Sequence, residues 1–251
     1  MLLTIYTENP SNVNFQKQDN SIFTDLNESV IYLVQTLSYS EAEVALFQQI
    51  LSPQEQQKAE RFRFQKDRQS YIVTHAMLRK ILGNYTASDP AKLEFILNEY
   101  GKPSLAENPK EIYFNLSHCS GLSALAFTVK SEIGIDIEKI DPEFDFDLIA
   151  KAHFSDAENS FIDHEPPESR KRFYTVWTRK ESLLKAIGTG IAENLDVEVF
   201  RKVNYYNPEL PLSINIESDY YLTTCEYQNK YLISAAGKDP GAIYCLIDNL
   251  K

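Results

Sequence analysis

The chain is poor in the residues that build covalent or fibrous scaffolds. Its 251 residues hold three cysteines, Cys119, Cys225 and Cys245, far apart and odd in number, which leaves no disulfide framework. None stands in a CxxC or CxxH spacing that suggests zinc, and they read as reduced thiols. Eight glycines and eleven prolines exclude collagen-like or low-complexity character. Positive charge is also short: 25 Lys and Arg face 36 Asp and Glu, a net −11 that argues against a general nucleic-acid or anionic-membrane binder. No apolar run approaches the ~20 residues that span a bilayer. The opening MLLTIYTENP lacks the basic n-region of a signal peptide. The expectation is a cytoplasmic protein with neither membrane nor nucleic acid as partner. What is plentiful forms a core: 43 % of residues are hydrophobic and 12 % aromatic, enough for one large domain or two small ones.

Along the chain, Leu2–Tyr6 reads as a strand, residues 8–27 as a long Asn/Ser/Gln-rich loop, and Val30–Leu37 as a second strand. Ser40 with Glu43, and Ser52 with Glu55, have the spacing of capping boxes that open two helices. Apolar residues at helical spacing predict a long helix over Asp67–Leu82, ended by Gly83 and Asn84. Strands are expected at Leu93–Leu97, Ile112–Leu116, Ser123–Val129 and Ile133–Ile137. A second long helix is expected at Phe173–Ile187, ended at Gly188, then strands at Val197–Phe200, Leu212–Ile216, Tyr221–Tyr227 and Tyr231–Ala236. The hairpin patterns Ile112–Val129 and Tyr220–Gly237 share a length and an apolar rhythm, which hints at internal duplication. The fold class that follows is α+β. Two halves, 1–132 and 133–251, each read as a long helix with a small antiparallel sheet.

Four constellations carry chemistry. In GIDIE (134–138), strand alternation puts Asp136 and Glu138 on one face and Ile135 and Ile137 on the core face. Two neighbouring carboxylates ask for a cation or a proton between them, and Mg²⁺ suits such ligands; the alternative is the solvated face of an edge strand. In WTRKESLLK (177–185), Trp177, Glu181 and Lys185 follow one helical stripe. A carboxylate beside an aromatic wall gains proton affinity, as a general base needs, although most such pairs are surface ion pairs. In NLSHCSG (115–121), Ser117 and His118 offer a hydroxyl and an imidazole at a strand end, where turn amides help hold a phosphate. Finally, the stretch 55–80 sets seven cations against Glu55, Glu60 and Asp67, a local +4, whereas 141–168 sets nine carboxylates against Lys151. The basic stretch suits a polyanion, or is simply a solvated helix face.

The order RFRFQKDR, EYGKP, NLSH, GIDIE, WTRKESLLK resembles the 4′-phosphopantetheinyl transferases, and within them the long, two-lobed class typified by the surfactin-synthetase activator. The resemblance covers Ser52 to Lys185 and implies that the two halves are pseudo-symmetric lobes with the active site between them. It implies an enzyme that moves the phosphopantetheine arm of coenzyme A to a serine of an apo acyl, peptidyl or aryl carrier protein, as a monomer. It implies that Asp136, Glu138 and Glu181 hold Mg²⁺ (Mn²⁺ fits the same ligands), with Glu181 also the base. Lys185 matches a lysine on the diphosphate, Ser117 and His118 a phosphate-binding pair, Lys102 a lysine on the nucleotide, and Lys58 a phosphate-binding lysine. Ser70 and Glu55 stand where the family often carries cations, which passes more of the 3′-phosphate contact to Arg68. Just after GIDIE, Phe144, Phe146, Leu148 and Ile149 are expected as an apolar docking patch for the carrier or as part of the core. The rival readings are a non-catalytic coenzyme A or carrier-protein binder and a Mg²⁺-dependent phosphodiesterase.

Overall fold

A helix lying across a strand needs room, and GIDIE supplies it: a Cβ built on Gly134 would sit 2.0 Å from the Ser182 carbonyl oxygen and 2.4 Å from Ala186 N. The computed structural model in which this contact occurs describes residues 3–5, 14–17, 26, 29–164, 166–190, 194–199, 212–214, 220–238 and 244–248. Its strands are β1 Leu3–Ile5, β2 Asn14–Lys17, β3 Ser29–Gln35, β4 Phe95–Leu97, β5 Pro103–Leu105, β6 Tyr113–Cys119, β7 Leu122–Thr128, β8 Ile133–Lys139, β9 Leu212–Ile214, β10 Tyr221–Tyr227, β11 Tyr231–Gly237 and β12 Tyr244–Asp248. The α-helices are α1 Glu41–Ile50, α2 Pro53–Glu60, α3 Gln65–Thr86, α4 Asp147–His153, α5 Asp156–Asp163 and α6 Ser169–Ile187. None of the described helices is long and apolar enough to cross a membrane.

The fold is α+β and layered. A five-stranded sheet runs β2-β12-β3-β7-β6 and a three-stranded sheet runs β10-β11-β8. Alternation along each strand splits its side chains between two cores. Ile31, Leu33, Ala124 and Ala126 meet Ile133, Ile135, Ile137 and Ile233 between the sheets. On the outer face of the larger sheet, Tyr32, Val34, Leu125 and Phe127 pack under Val73, Met77 and Ile81 of α3. On the outer face of the smaller one, Leu222, Leu232 and Ala236 pack under Phe173, Val176 and Leu183 of α6. Strand order recurs along the chain. β3-α3-β6-β7 gives the antiparallel neighbours β3-β7-β6, and β8-α6-β10-β11 gives β8-β11-β10.

Both capping boxes form, at Ser40–Glu43 and Ser52–Glu55. Several expectations need correction. α3 does not stop at Gly83 and Asn84 but runs to Thr86, where Ala87 turns left-handed (φ 55°). Gly83 serves close approach instead, since a Cβ there would lie 2.8 Å from Pro90 Cγ and from the Ser88 carbonyl oxygen. Within the expected loop 8–27, Asn14–Lys17 is a strand parallel to β12; apart from Leu26, the rest lies outside the described residues. Val197–Val199 is not a strand, because side chains rather than a ladder take up its backbone: Lys180 Nζ donates to the carbonyls of Leu195 (2.9 Å) and Val197 (2.5 Å), and Val199 N donates to Glu158 (2.8 Å). Phe200 lies outside the described residues, as do Asn215 and Ile216 at the end of the expected strand Leu212–Ile216. The larger sheet is mixed rather than antiparallel, since β12 lies parallel to both β2 and β3. α4 and α5 were not expected at all.

Candidate active site

Strand β6 runs beside β8 without joining it in a ladder, and side chains close the seam. Asn115 Oδ1 accepts from Ile135 N at 3.0 Å, and Ser117 Oγ donates to Asp136 Oδ1 at 2.8 Å. With Ile135 and Ile137 in the inter-sheet core, Asp136 and Glu138 turn to the α6 side, as alternation predicts. There they meet the stripe carrying Glu181 and Lys185. Lys185 Nζ lies 2.7 Å from Asp136 Oδ1, 3.2 Å from Ser117 Oγ and 3.7 Å from Glu181 Oε2.

Asp136 is 3 % exposed, and its other oxygen, Oδ2, is buried with no hydrogen-bond partner. An unsatisfied carboxylate oxygen at that depth costs free energy unless something electropositive reaches it. Burial raises the Glu181 carboxyl to about 7, with the Asp136 and Glu138 charges adding to the effect and Lys185 opposing it. Glu138 is raised as well, first by burial and then by Asp136, while Cys119, Lys185 and, last, Trp177 oppose the shift. Among the described residues, no three His, Cys, Asp or Glu side chains are gathered into a ready-made metal site. The orphaned oxygen and three carboxylates on facing elements nevertheless fit a hard divalent cation in donor chemistry.

These groups line a cleft of about 1570 Å³ that also takes in α2, α3 and the 98–103 turn. Lys58 is exposed along it, its Nζ 5.4 Å from the centre of the Tyr71 ring. His118 lines it too, its proton affinity lowered first by desolvation and then by the Lys185 charge. Lys102 lines it but is engaged elsewhere, donating to the Ala186 carbonyl (2.8 Å) and pairing with Glu132. Arg68, half-buried on the first turn of α3, is not part of the lining, and Ser70 points to Thr36 Oγ1 at 2.8 Å. Glu55 caps α2 through Ser52 N and binds the buried Arg79 at 2.8 Å, so this carboxylate is already neutralised inside the cleft. In the segment after GIDIE, Phe146 and Ile149 pack on the α6 core; Leu148 is 76 % exposed and Phe144 36 %.

Sequence reasoning missed His75, which lies in the cleft against Tyr71, ring centres 3.9 Å apart, with Nδ1 3.0 Å from the Tyr71 carbonyl. It also missed Asn98, whose role depends on a residue ninety positions away. A helical wheel places His75 one turn after Tyr71, but nothing local says that this face meets a cleft.

The comparisons agree with the geometry. Residues 132–236 match the 4′-phosphopantetheinyl transferase superfamily profile, and residues 37–130 match a profile described as 4′-phosphopantetheinyl transferase, N-terminal. The 4′-phosphopantetheinyl transferase Sfp of Bacillus subtilis (strain 168) is 31 % identical, over 84 % of this chain and 91 % of its own. The 4′-phosphopantetheinyl transferase HetI of Nostoc sp. (strain PCC 7120) is 36 % identical over 59 % of this chain. The match spans 64 % of HetI and 62 % of the Synechocystis relative slr0495, a little under two thirds of each. By these matches the chain belongs to the 4′-phosphopantetheinyl transferase superfamily.

Proposed function

We propose that the protein is an enzyme that transfers the 4′-phosphopantetheine arm of coenzyme A to a serine of an apo acyl, peptidyl or aryl carrier protein. The products are the holo carrier and adenosine 3′,5′-bisphosphate. The observation that carries this reading is the buried, unpartnered Asp136 Oδ2 beside a base of raised proton affinity and a lysine, all in one cleft. Asp136, Glu138 and Glu181 would hold Mg²⁺, or Mn²⁺ on the same ligands. When bound, the ion neutralises the non-bridging diphosphate oxygens.

Glu181 takes the serine proton, for a carboxylate near pH 7 is matched to that transfer and typically contributes ~10²–10⁴-fold. The serine oxygen bonds to the phosphorus bearing the pantetheine arm, and the bond from that phosphorus to the bridging oxygen breaks. Lys185, His118 and Ser117 hold the departing phosphate oxygens, a charge-stabilising role that needs them in place beforehand. Lys58 faces a further phosphate, whereas Arg68, outside the cleft lining, would act on that phosphate only through its charge. Lys102 belongs to the nucleotide end of the cleft.

We assign residues 1–132 and 133–251 to two lobes. The recurring strand order supports this division, as do two profiles, one ending at 130 and the other beginning at 132. β9 and β12 then reach back across that boundary. The protein acts in the cytoplasm as a monomer, with no nucleic-acid or membrane partner.

Intact-mass spectrometry of apo carriers incubated with the protein, coenzyme A and Mg²⁺ tests the reading. A gain of one phosphopantetheine that EDTA abolishes is expected, and Glu181→Gln is expected to slow it ~10²–10⁴-fold. No gain on any carrier with coenzyme A binding intact would favour the binder. Release of adenosine 3′,5′-bisphosphate without a carrier would favour the phosphodiesterase.

A further inference from the structure

We propose that Asn98 is a positioning residue for coenzyme A, its side-chain amide clasping the 98–103 turn to the C-terminal end of α6 and so fixing the distance between that turn and Lys185. The inference rests on the reading of coenzyme A as substrate, because it concerns how the ends of that molecule are held relative to one another.

Asn98 uses both ends of its amide. Oδ1 accepts from Tyr100 N (3.0 Å) and Lys102 N (2.8 Å), which shapes the turn, while Nδ2 donates to the Gly188 carbonyl at 2.8 Å, which ties the turn to α6. The last carbonyls of a helix lack intrahelical partners and sit at its negative pole. Gly188 ends α6 in the left-handed region (φ 80°), and its N–H returns to Leu184 O at 2.8 Å. Two of the carbonyls left over, Ala186 and Gly188, are met from the first half of the chain by Lys102 Nζ and Asn98 Nδ2.

The fit is close. A Cβ on Gly188 would lie 3.0 Å from Asn98 Nδ2, and one on Gly190 3.1 Å from the Tyr100 ring. Tyr100, Gly101, Lys102 and Pro103 line the same cleft as Lys185, which is one turn back along α6 from Gly188. Loss of the clasp leaves the turn tied to α6 by Lys102 Nζ alone, a long and flexible side chain, while Asp136, Glu181 and Lys185 are untouched. Binding a ligand that bridges the two walls is then weakened, and the chemistry at the carboxylates is not.

Asn98→Asp keeps the acceptor and removes the donor, and uncharged Asn98→Ser, assayed beside it, must show the same change, since the added carboxylate charge would by itself repel coenzyme A. The carboxylate still accepts from Tyr100 N and Lys102 N but cannot donate to Gly188 O. Steady-state formation of holo carrier is expected to show KM for coenzyme A raised about 3–10-fold, as loss of a hydrogen bond of about 1 kcal/mol predicts. The kcat and the KM for the carrier should stay within twofold of wild type. A merely structural residue would instead lower melting temperature and active fraction with KM unchanged. Unaltered KM for coenzyme A, or equal changes in kcat and both KM values, overturns the proposal. Should Asn98→Asp not fold, Asn98→Ser keeps a hydroxyl acceptor for the turn but does not reach Gly188, and the same outcomes apply. Inactive wild-type protein would refute the transferase reading; active wild-type protein with an indifferent Asn98→Asp refutes only the clasp.

Discussion

Two titratable side chains in the cleft act on stability in opposite directions. Burial lowers His75 from 6.5 to about 4, against Glu55, which raises it, and Lys58 and His118, which lower it further. Its folded value lies below its unfolded one. Its contribution is therefore complete above pH 6.5 and is lost as pH falls through the folded value near 4. Glu181 is raised from 4.5 to about 7, so its folded value lies above its unfolded one, and stability is lost as pH rises through that interval. Each is worth at most about 3 kcal/mol. In metal-free protein, Glu181→Gln should melt higher than wild type at pH 8 and converge with it near pH 4.5. His75→Gln should lose less melting temperature than wild type between pH 7 and pH 5. Thermal melts across pH check both, and a Glu181→Gln variant less stable than wild type at pH 8 would contradict the assigned environment. Glu181 and Lys185 were legible in the sequence because four residues make a helical turn, and Asp136 and Glu138 because a strand alternates. His75 and Asn98 were not, since each takes its meaning from a neighbour that local spacing does not reveal.

At the scale of elements, the α6–β8 crossing decides whether those four side chains meet. Gly134 lets the helix backbone lie on the strand, and alanine there would press its Cβ into Ser182 O and Ala186 N, backbone atoms that cannot swing aside. Gly134→Ala is expected to cost at least ~3 kcal/mol, the upper range for overpacking, visible as a large fall in denaturant midpoint. A midpoint within experimental error of wild type would show that α6 stands further from β8. On its outer side, α6 is fastened by Lys180 and Glu158, fully buried and 2.9 Å apart, which also hold the backbone of 195–199. That arrangement explains why Val197–Val199 misleads as a strand: its β-branched residues face the core while side chains satisfy the backbone. α4 and α5 were illegible for the opposite reason. They are short, seven and eight residues, and lie in an acidic stretch whose charge hides the apolar face that Ala150 and Ile162 supply.

For the whole molecule, a net charge of −11 would set the terms on which the proposed reaction meets an acidic carrier. Like charges slow association, and salt screens them within ~8–10 Å at physiological strength. Raising salt from 10 to 150 mM should therefore raise kcat/KM for an acidic carrier; a steep fall would point to a basic docking face instead. In the proposed reaction docking would then lean on apolar contact, for which Leu148, exposed where Phe146 and Ile149 are packed away, is available. Leu148→Ala should raise carrier KM severalfold, with KM for coenzyme A and melting temperature unchanged. The α+β class and the repeated hairpins were legible because each rests on nearby residues, whereas the cross-pairing of distant strands was not. β1 pairs with β9 and β2 pairs with β12, the latter lodged between β2 and β3. A ribosome releases these partners about two hundred residues apart. During synthesis β2 waits for β12 to emerge, so the edge of the larger sheet that β2 forms is closed only after most of the described chain has been made.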